Sequence, residues 1–269
     1  MFALALLLAT WTDVANALGR AGTEMPGNVY KVSFPRGDLD VVAGGVHVRP
    51  ALALGSWAAF VRAPGGAMVM GDLVLTEDEV NPVIDALQAG GIEQSALHNH
   101  LLGESPRVMY LHFDGHGDEL KLAKTLHDAL AKTKTPPPSP PAQPRAVLAL
   151  DDILGVKGKV AGDVVQYSVP RKETIKAHGM VVPPAAGVAT AINFQPTHEG
   201  RAATTGDFVL LGSEVNPVIR ALRAGGIRVT AIHSHMLDEE PRLFFMHFWG
   251  EDDAAKLAHT LRRALDATK

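Results

Sequence analysis

Apolar and polar residues alternate along the chain in a pattern that marks one series of elements twice. Trp11–Leu18 spaces its apolar residues as a short amphipathic helix, and Val29–Phe34, Val46–Val48 and Met68–Leu75 read as strands. Glu77–Ala89 carries a helical stripe through Val83, Ile84 and Leu87 that Gly90-Gly91 stops. Gln94–His100 and Val108–Phe113 predict two strands joined by a loop holding Gly103 and Pro106. Glu119–Lys132 predicts a closing helix with Leu120, Leu122, Ala123, Leu126 and Leu130 as its apolar set. The same order begins again with a short helix at Leu150–Leu154.

The recurrence is a duplication. Gly71–Thr133 and Gly206–Thr268 align without a gap, with about 35 of 63 positions identical. Both copies contain Gly-Asp (71–72 and 206–207), Glu-Val-Asn-Pro-Val-Ile (79–84 and 214–219) and Ala-Gly-Gly-Ile (89–92 and 224–227). Upstream, Ser33-Phe34-Pro35-Arg36 returns as Ser168-Val169-Pro170-Arg171, and Leu18-Gly19 as Leu154-Gly155. Between the copies, Thr135-Pro136-Pro137-Pro138-Ser139-Pro140-Pro141-Ala142-Gln143-Pro144 reads as an extended, semi-rigid spacer, because proline fixes φ and removes backbone donors. The expected organisation is a leader remnant at 1–10, a first repeat at 11–133, a linker at 134–148 and a second repeat at 149–269. The fold class is α+β: two tandem homologous α+β domains, each an antiparallel sheet with helices packed on one face. The two halves are expected to pack on each other about a pseudo-two-fold axis.

Composition narrows the functions. Of 269 residues, 46% are apolar and 20% charged, with a formal net charge of −4, so the chain has a globular balance and no basic run to suit nucleic acid. With no cysteine, thiolate metal sites, disulfides and Cys nucleophiles are excluded. The apolar stretch Met1–Ala9 is too short to span a bilayer, which takes about 20 residues. It has the length of a signal-peptide core, and Ala15-Asn16-Ala17 has the form of a cleavage site, although no Lys or Arg precedes the run. The expected location is therefore periplasmic or secreted, and cytoplasmic if that stretch is no signal.

Six of the 12 histidines are placed in register between the copies. His98-Asn99-His100 is followed by Glu104 and His112, and His233-Ser234-His235 by Glu239 and His247. The two histidines of His-x-His point to the same side of a strand, and a partner strand can add the third. If the register pairs 98 with 112, His98, His100 and His112 share a face, and a one-residue slip would separate them. Three imidazoles beside a carboxylate suit a divalent metal ion, Zn²⁺ first, with an open position for water. Glu79 or Glu214, or Glu104 or Glu239, would handle the proton, and Arg107 and Arg242 would steady a developing oxyanion. Each has a plainer alternative. Glu79 follows Thr76 by three residues as a capping box does, while Leu211 stands in that place before Glu214. Asp72 and Asp207 read as turn chemistry within reach of a metal. The plainer alternative for the histidines themselves is a structural network across the interface between halves. His116, His127, His198 and His259 read as surface residues, and His47 and His178 do not align with one another.

Val29-Tyr30-Lys31-Val32-Ser33-Phe34-Pro35-Arg36, Pro50-Ala51-Leu52-Ala53-Leu54-Gly55-Ser56-Trp57, Met70-Gly71-Asp72-Leu73-Val74-Leu75 and Ala96-Leu97-His98-Asn99-His100 resemble the LppY/LpqO family. The resemblance covers nearly the whole chain. It implies a bacterial, often exported protein with a duplicated domain of unknown function. No Cys is present for lipidation. The leading functional expectation is a metal-dependent hydrolase of a small ester, lactone or amide. The alternative is a non-enzymatic exported protein that binds a metal or small ligand, and a third is an interaction module with histidines in its core.

Overall fold

The computed structural model describes residues 9–63, 66–140, 143 and 148–268. The first half runs α1 (Trp11–Leu18), β1 (Thr23–Met25), β2 (Val29–Pro35), β3 (Val42–Ala43), β4 (Val46–His47), α2 (Pro50–Ala53), β5 (Gly55–Ala63), β6 (Gly66–Leu75), α3 (Glu77–Ala89), β7 (Glu93–His98), β8 (Met109–Gly117) and α4 (Glu119–Leu130). The second runs α5 (Asp151–Leu154), β9 (Lys159–Ala161), β10 (Val164–Pro170), β11 (Lys176–Ala177), β12 (Met180–Val181), β13 (Ala189–Pro196), β14 (Arg201–Leu211), α6 (Gly212–Ala224), β15 (Arg228–His233), β16 (Leu243–Asp253) and α7 (Ala254–Asp266). Each half forms a six-stranded antiparallel sheet, ordered β1-β2-β5-β6-β8-β7 and β15-β16-β14-β13-β10-β9.

Period-two alternation assigns the two faces of each sheet. In β6, Val69, Leu73 and Leu75 join Val83 and Leu87 of α3 and Leu122 and Leu126 of α4 in one core. Met68, Met70 and Val74 point the other way, towards the second half. The second sheet does the same, with Phe208, Leu210, Met246 and Phe248 under α6 and α7 and Val209 and Phe245 facing the first half. The layers are therefore helices, sheet, sheet, helices, and the two open sheet faces close on each other. Two apolar clusters flank that interface. One joins Val61 and Met68 to Val209, Met236 and Phe245; the other joins Leu54, Val74 and Tyr110 to Val164, Ala203 and Trp249.

All ten residues of β6 are buried, because helices cover one face and the second half covers the other. Double coverage also hides β5 from a pattern reading: Gly55–Ala63 is largely apolar on both faces and shows no alternation to find. Gly71-Asp72 and Gly206-Asp207, read as turns, lie instead in the middle of β6 and β14. At Gly71 a Cβ would stand 2.3 Å from the Trp57 carbonyl oxygen and 2.5 Å from the Phe113 ring, and at Gly206 2.0 Å from that of Ala191. Close packing explains these glycines. Ala15-Asn16-Ala17 lies inside α1, where Val14 and Leu18 are buried. Residues 1–8, most of the expected leader, and 141–142 and 144–147 of the linker lie outside the described residues. No described helix is long and apolar enough to cross a membrane.

Candidate metal centre

Strand pairing carries the histidines to the interface. In the first half Ala96 pairs with His112 and His98 with Tyr110, and in the second Ala231 pairs with His247 and His233 with Phe245. The register is thus displaced by two residues from the 98-with-112 pairing expected from sequence. A two-residue shift preserves parity, so the shared face survives. Each strand is bulged, at Ser95 and at Thr230. The bulged hydroxyls cross to the opposite half, Ser95 donating to the His235 carbonyl and Thr230 to the His100 carbonyl at 2.6 Å. His100 and His235 lie just past the strand ends, held by these bonds. Asp72 pairs with His112 across β6 and β8, and Asp207 with His247 across β14 and β16.

The two histidine sets meet as one cluster across the pseudo-two-fold axis. His98 and His233 sit on that axis with ring centroids 3.5 Å apart. On either side His100 stacks on His247 at 3.6 Å and His112 on His235 at 3.7 Å. Tyr110 covers the outer face of His100, and Phe245 that of His235, each at 3.4 Å. Two overlapping donor sets result, in which the ligand atoms lie within 4.8 Å of one another: His98 with His100 and His112, and His98 with His233, His235 and His247.

The polar bookkeeping of the cluster is incomplete without a guest. Among the described residues ten buried side-chain polar atoms lack a hydrogen-bond partner, and eight are here: all six histidine Nε2 atoms and Oδ1 of Asp72 and Asp207. Four of the opposite ring nitrogens are engaged by backbone carbonyls. His247 Nδ1 lies 3.0 Å from the Gly206 carbonyl, His233 Nδ1 3.2 Å from that of Ser234 and His98 Nδ1 3.4 Å from that of Asn99. The Gly71 carbonyl serves His112 in the same way. A backbone acceptor on Nδ1–H selects the tautomer that leaves the Nε2 lone pair free, the arrangement that orients metal-ligating histidines. The carboxylates face these free nitrogens: Asp207 Oδ2 is 3.3 Å from His235 Nε2, and Asp72 Oδ2 is 3.6 Å from His100 Nε2 and 3.8 Å from that of His112.

Burial disfavours charge on every member. It pushes the Asp72 carboxyl up to about 8 and Asp207 well above the carboxylate range. It pulls His98 down to about 4 and His233 to about 3, and sets the other four rings well below the ordinary histidine range. The rings are neutral donors at pH 7. A cation among them would supply the positive charge that two buried carboxylates need.

The remaining residues singled out from sequence stand elsewhere. Glu79 and Glu214 occupy the third positions of α3 and α6, on the helical side of each sheet. Glu79 accepts from Thr76 N–H at 3.0 Å and from both terminal nitrogens of Arg36 at 2.7 and 3.1 Å. Glu214 accepts from Leu211 N–H at 2.7 Å and from Arg171 at 2.7 and 3.0 Å. A leucine before Glu214 does not prevent capping, because the carboxylate bonds the backbone N–H and needs no side chain there. The repeated Ser-x-Pro-Arg upstream is thereby explained as the other half of each clamp. Glu104 receives Asn99 Nδ2 at 3.2 Å, and buried Glu239 receives Leu243 N–H at 2.9 Å, so both brace the hairpin loops. The Arg107 and Arg242 side chains are more than half exposed; Arg107 reaches Glu77 at 3.8 Å and Arg242 reaches the buried Glu239 at 3.3 Å. Asp72 and Asp207, read from sequence as turn residues within reach of a metal, are the carboxylates brought to the imidazoles. Their signal was the alternation Gly-Asp-x-Val-Leu, which sets Asp and Val on the interface side.

A cavity of about 10 Å³, the size of one water, touches the cluster. His112 and His235 form its inner wall, with Trp57, Met70, Asp114 and Met236 around it.

No curated protein matches the sequence. Among solved structures, the trimeric bacterial microcompartment shell protein PduB aligns over 92% of this chain and 90% of its own at 12% identity and a TM-score of 0.23. EtuB from Clostridium kluyveri aligns over 92% and 89% at 11% identity and a TM-score of 0.21. Superpositions this loose carry no argument. A family model matches both repeats, at residues 12–132 and 148–267, and the chain belongs to that family, described as Domain of Unknown Function (DUF1259).

Proposed function

We propose that this protein binds divalent transition-metal ions between its two halves, through His98, His100, His112, His233, His235 and His247 with Asp72 and Asp207 as the carboxylate partners. The observation that carries the reading is the convergence of six buried Nε2 atoms without hydrogen-bond partners, most with the opposite nitrogen committed to a backbone carbonyl. Imidazole-rich sets suit Zn²⁺, Cu²⁺ or Ni²⁺, and Zn²⁺ accepts the mixed nitrogen and oxygen set most readily. Elemental analysis of protein purified after metal supplementation tests this. One or two equivalents are expected at this cluster, and His98→Ala/His233→Ala, which removes the axial pair, is expected to lose them, leaving only metal held outside the cluster. Metal-free wild type after supplementation would refute the reading.

Hydrolysis of a small ester, lactone or amide is the second reading, favoured by the water-sized cavity against His112 and His235. There Asp72 or Asp207, rather than Glu79 or Glu214, is the carboxylate positioned to take a proton. Drug-sized substrates need about 300 Å³ or more, which argues for binding over turnover of anything larger than a few atoms. A substrate panel run with the metal-loaded protein and its Asp72→Asn variant separates the two. The narrower kinship with the LppY/LpqO proteins, and an exported location, are supported by the motifs around Val29–Arg36 and Ala96–His100 and belong to the same proposal.

A further inference from the structure

A second donor cluster lies outside the interface histidines, at the rim where β8 meets the β11–β12 turn. Residues 112, 114 and 116 alternate along β8, so Asp114 and His116 share the interface side with His112. The turn of the second half brings His178 onto them. His178 Nε2 stands 3.0 Å from Asp114 Oδ2, its ring centroid is 4.6 Å from that of His116, and a ligand atom of each of the three lies within 4.8 Å of the others. Donors on one tetrahedral zinc are about 3.3 Å apart, given bonds of about 2.0–2.1 Å. The other nitrogen, His178 Nδ1, is 3.1 Å from Asp238 Oδ2, and the same carboxylate accepts the His178 backbone N–H at 3.0 Å. This is the carboxylate–histidine pairing that orients a metal-binding ring.

The duplication supplies an internal control. In the first half the corresponding hairpin corner is Gly44, with φ of 57°, and it rests near Trp249 and Arg228, with no comparable donor set among the described residues. In the second half the corner is His178 with φ of 50°, a left-handed conformation that favours glycine. The strained residue is the one that reaches the donors.

We infer that Asp114, His116 and His178, oriented by Asp238, form a second divalent-metal site, reachable from solvent, that ties strand β8 of the first half to the β11–β12 turn of the second. It is independent of the interface cluster, and the chemistry of the donors selects Zn²⁺ or Co²⁺ over Ca²⁺ or Mg²⁺.

Titration of the full chain with Zn²⁺, followed by calorimetry, and with Co²⁺, followed by its visible absorption, tests this. His178→Gly restores the residue that the first half uses at this corner and relieves its backbone, so the fold is kept. His116→Ala changes an exposed side chain. Wild type is expected to bind one equivalent more than either variant, or to bind that equivalent at least 100-fold more tightly, while the interface sites titrate as before. Asp238→Ala is expected to weaken the same equivalent about 10- to 100-fold. Identical isotherms for wild type, His178→Gly and His116→Ala would overturn the inference, whatever the interface site does. So would a stability loss in His178→Gly that is the same with metal and with chelator, which would make Asp114–His178–Asp238 an ionic latch only.

Discussion

Glu79 is the residue whose substitution best separates structure from chemistry. Its Arg36 partner has a side chain with no exposure, and the Glu79 side chain is 5% exposed. Arg36 spends its donors on Glu79, on the Val74 carbonyl at 2.7 Å and on Asp38 at 2.8 and 2.9 Å. Glu79→Gln keeps the shape and the cap on Thr76 but removes the charge that balances a buried guanidinium. Breaking a buried pair on one side costs about 3–5 kcal/mol. Asp38 still faces Arg36, so about 3 kcal/mol is expected, a melting-temperature drop of about 6–12 °C for a chain of this size. Arg36→Met/Glu79→Gln, which removes both charges, is expected to recover most of that loss. Urea unfolding of wild type, Glu79→Gln, Arg36→Met and the double variant gives the coupling directly. Metal content should be unchanged throughout. A Glu79→Gln protein as stable as wild type but unable to bind metal or turn over a substrate would refute the clamp and return Glu79 to the active machinery.

Other outcomes follow from the interface. In metal-stripped wild type, Asp72 stays protonated up to about pH 8 when folded and ionises near 3.8 when unfolded. The folded state therefore holds the extra proton, and stability falls as pH rises. Between pH 6.5 and 8 its share of the fall is about 2 kcal/mol, a share that Asp72→Asn removes in urea titrations with chelator. The histidines act at the other end. His98 and His233 titrate near 4 and 3 when folded and near 6.5 when unfolded, so their contribution is complete above 6.5 and lost on acidification towards 4. An acid-unfolding midpoint that moves down in His98→Ala/His233→Ala checks that sign. Gly206→Ala places a Cβ 2.0 Å from the Ala191 carbonyl oxygen, and a loss of about 3 kcal/mol is expected in thermal melts.

Much of this was legible in the amino-acid order. The 135-residue offset between copies, α3 between Thr76 and Gly90, and the shared side of the His-x-His residues all follow from local periodicity. What periodicity cannot supply is the environment on the far side of a sheet. β5 lacked a pattern because both of its faces are covered. The Gly71-Asp72 pair was misread for the same reason, since a carboxylate inside a strand is expected only once an opposing surface of imidazoles is known. Glu79 and Glu214 looked catalytic because their arginine partners lie 43 residues upstream in sequence, a separation no local motif spans. His116 and His178 were set aside because neither has a counterpart in the other copy. That lack of symmetry is what marks their cluster.

Placing His98 against His233 on the axis changes what gene doubling means for this chain. Paired copies ordinarily give insurance, because damage to one leaves the other working. Here His98 belongs to both donor sets and packs on His233, so a lesion in the first copy is felt in the second. Selection at the centre must act on the pair as a single object, while the rims, as Gly44 and His178 illustrate, are free to drift apart and take on separate tasks.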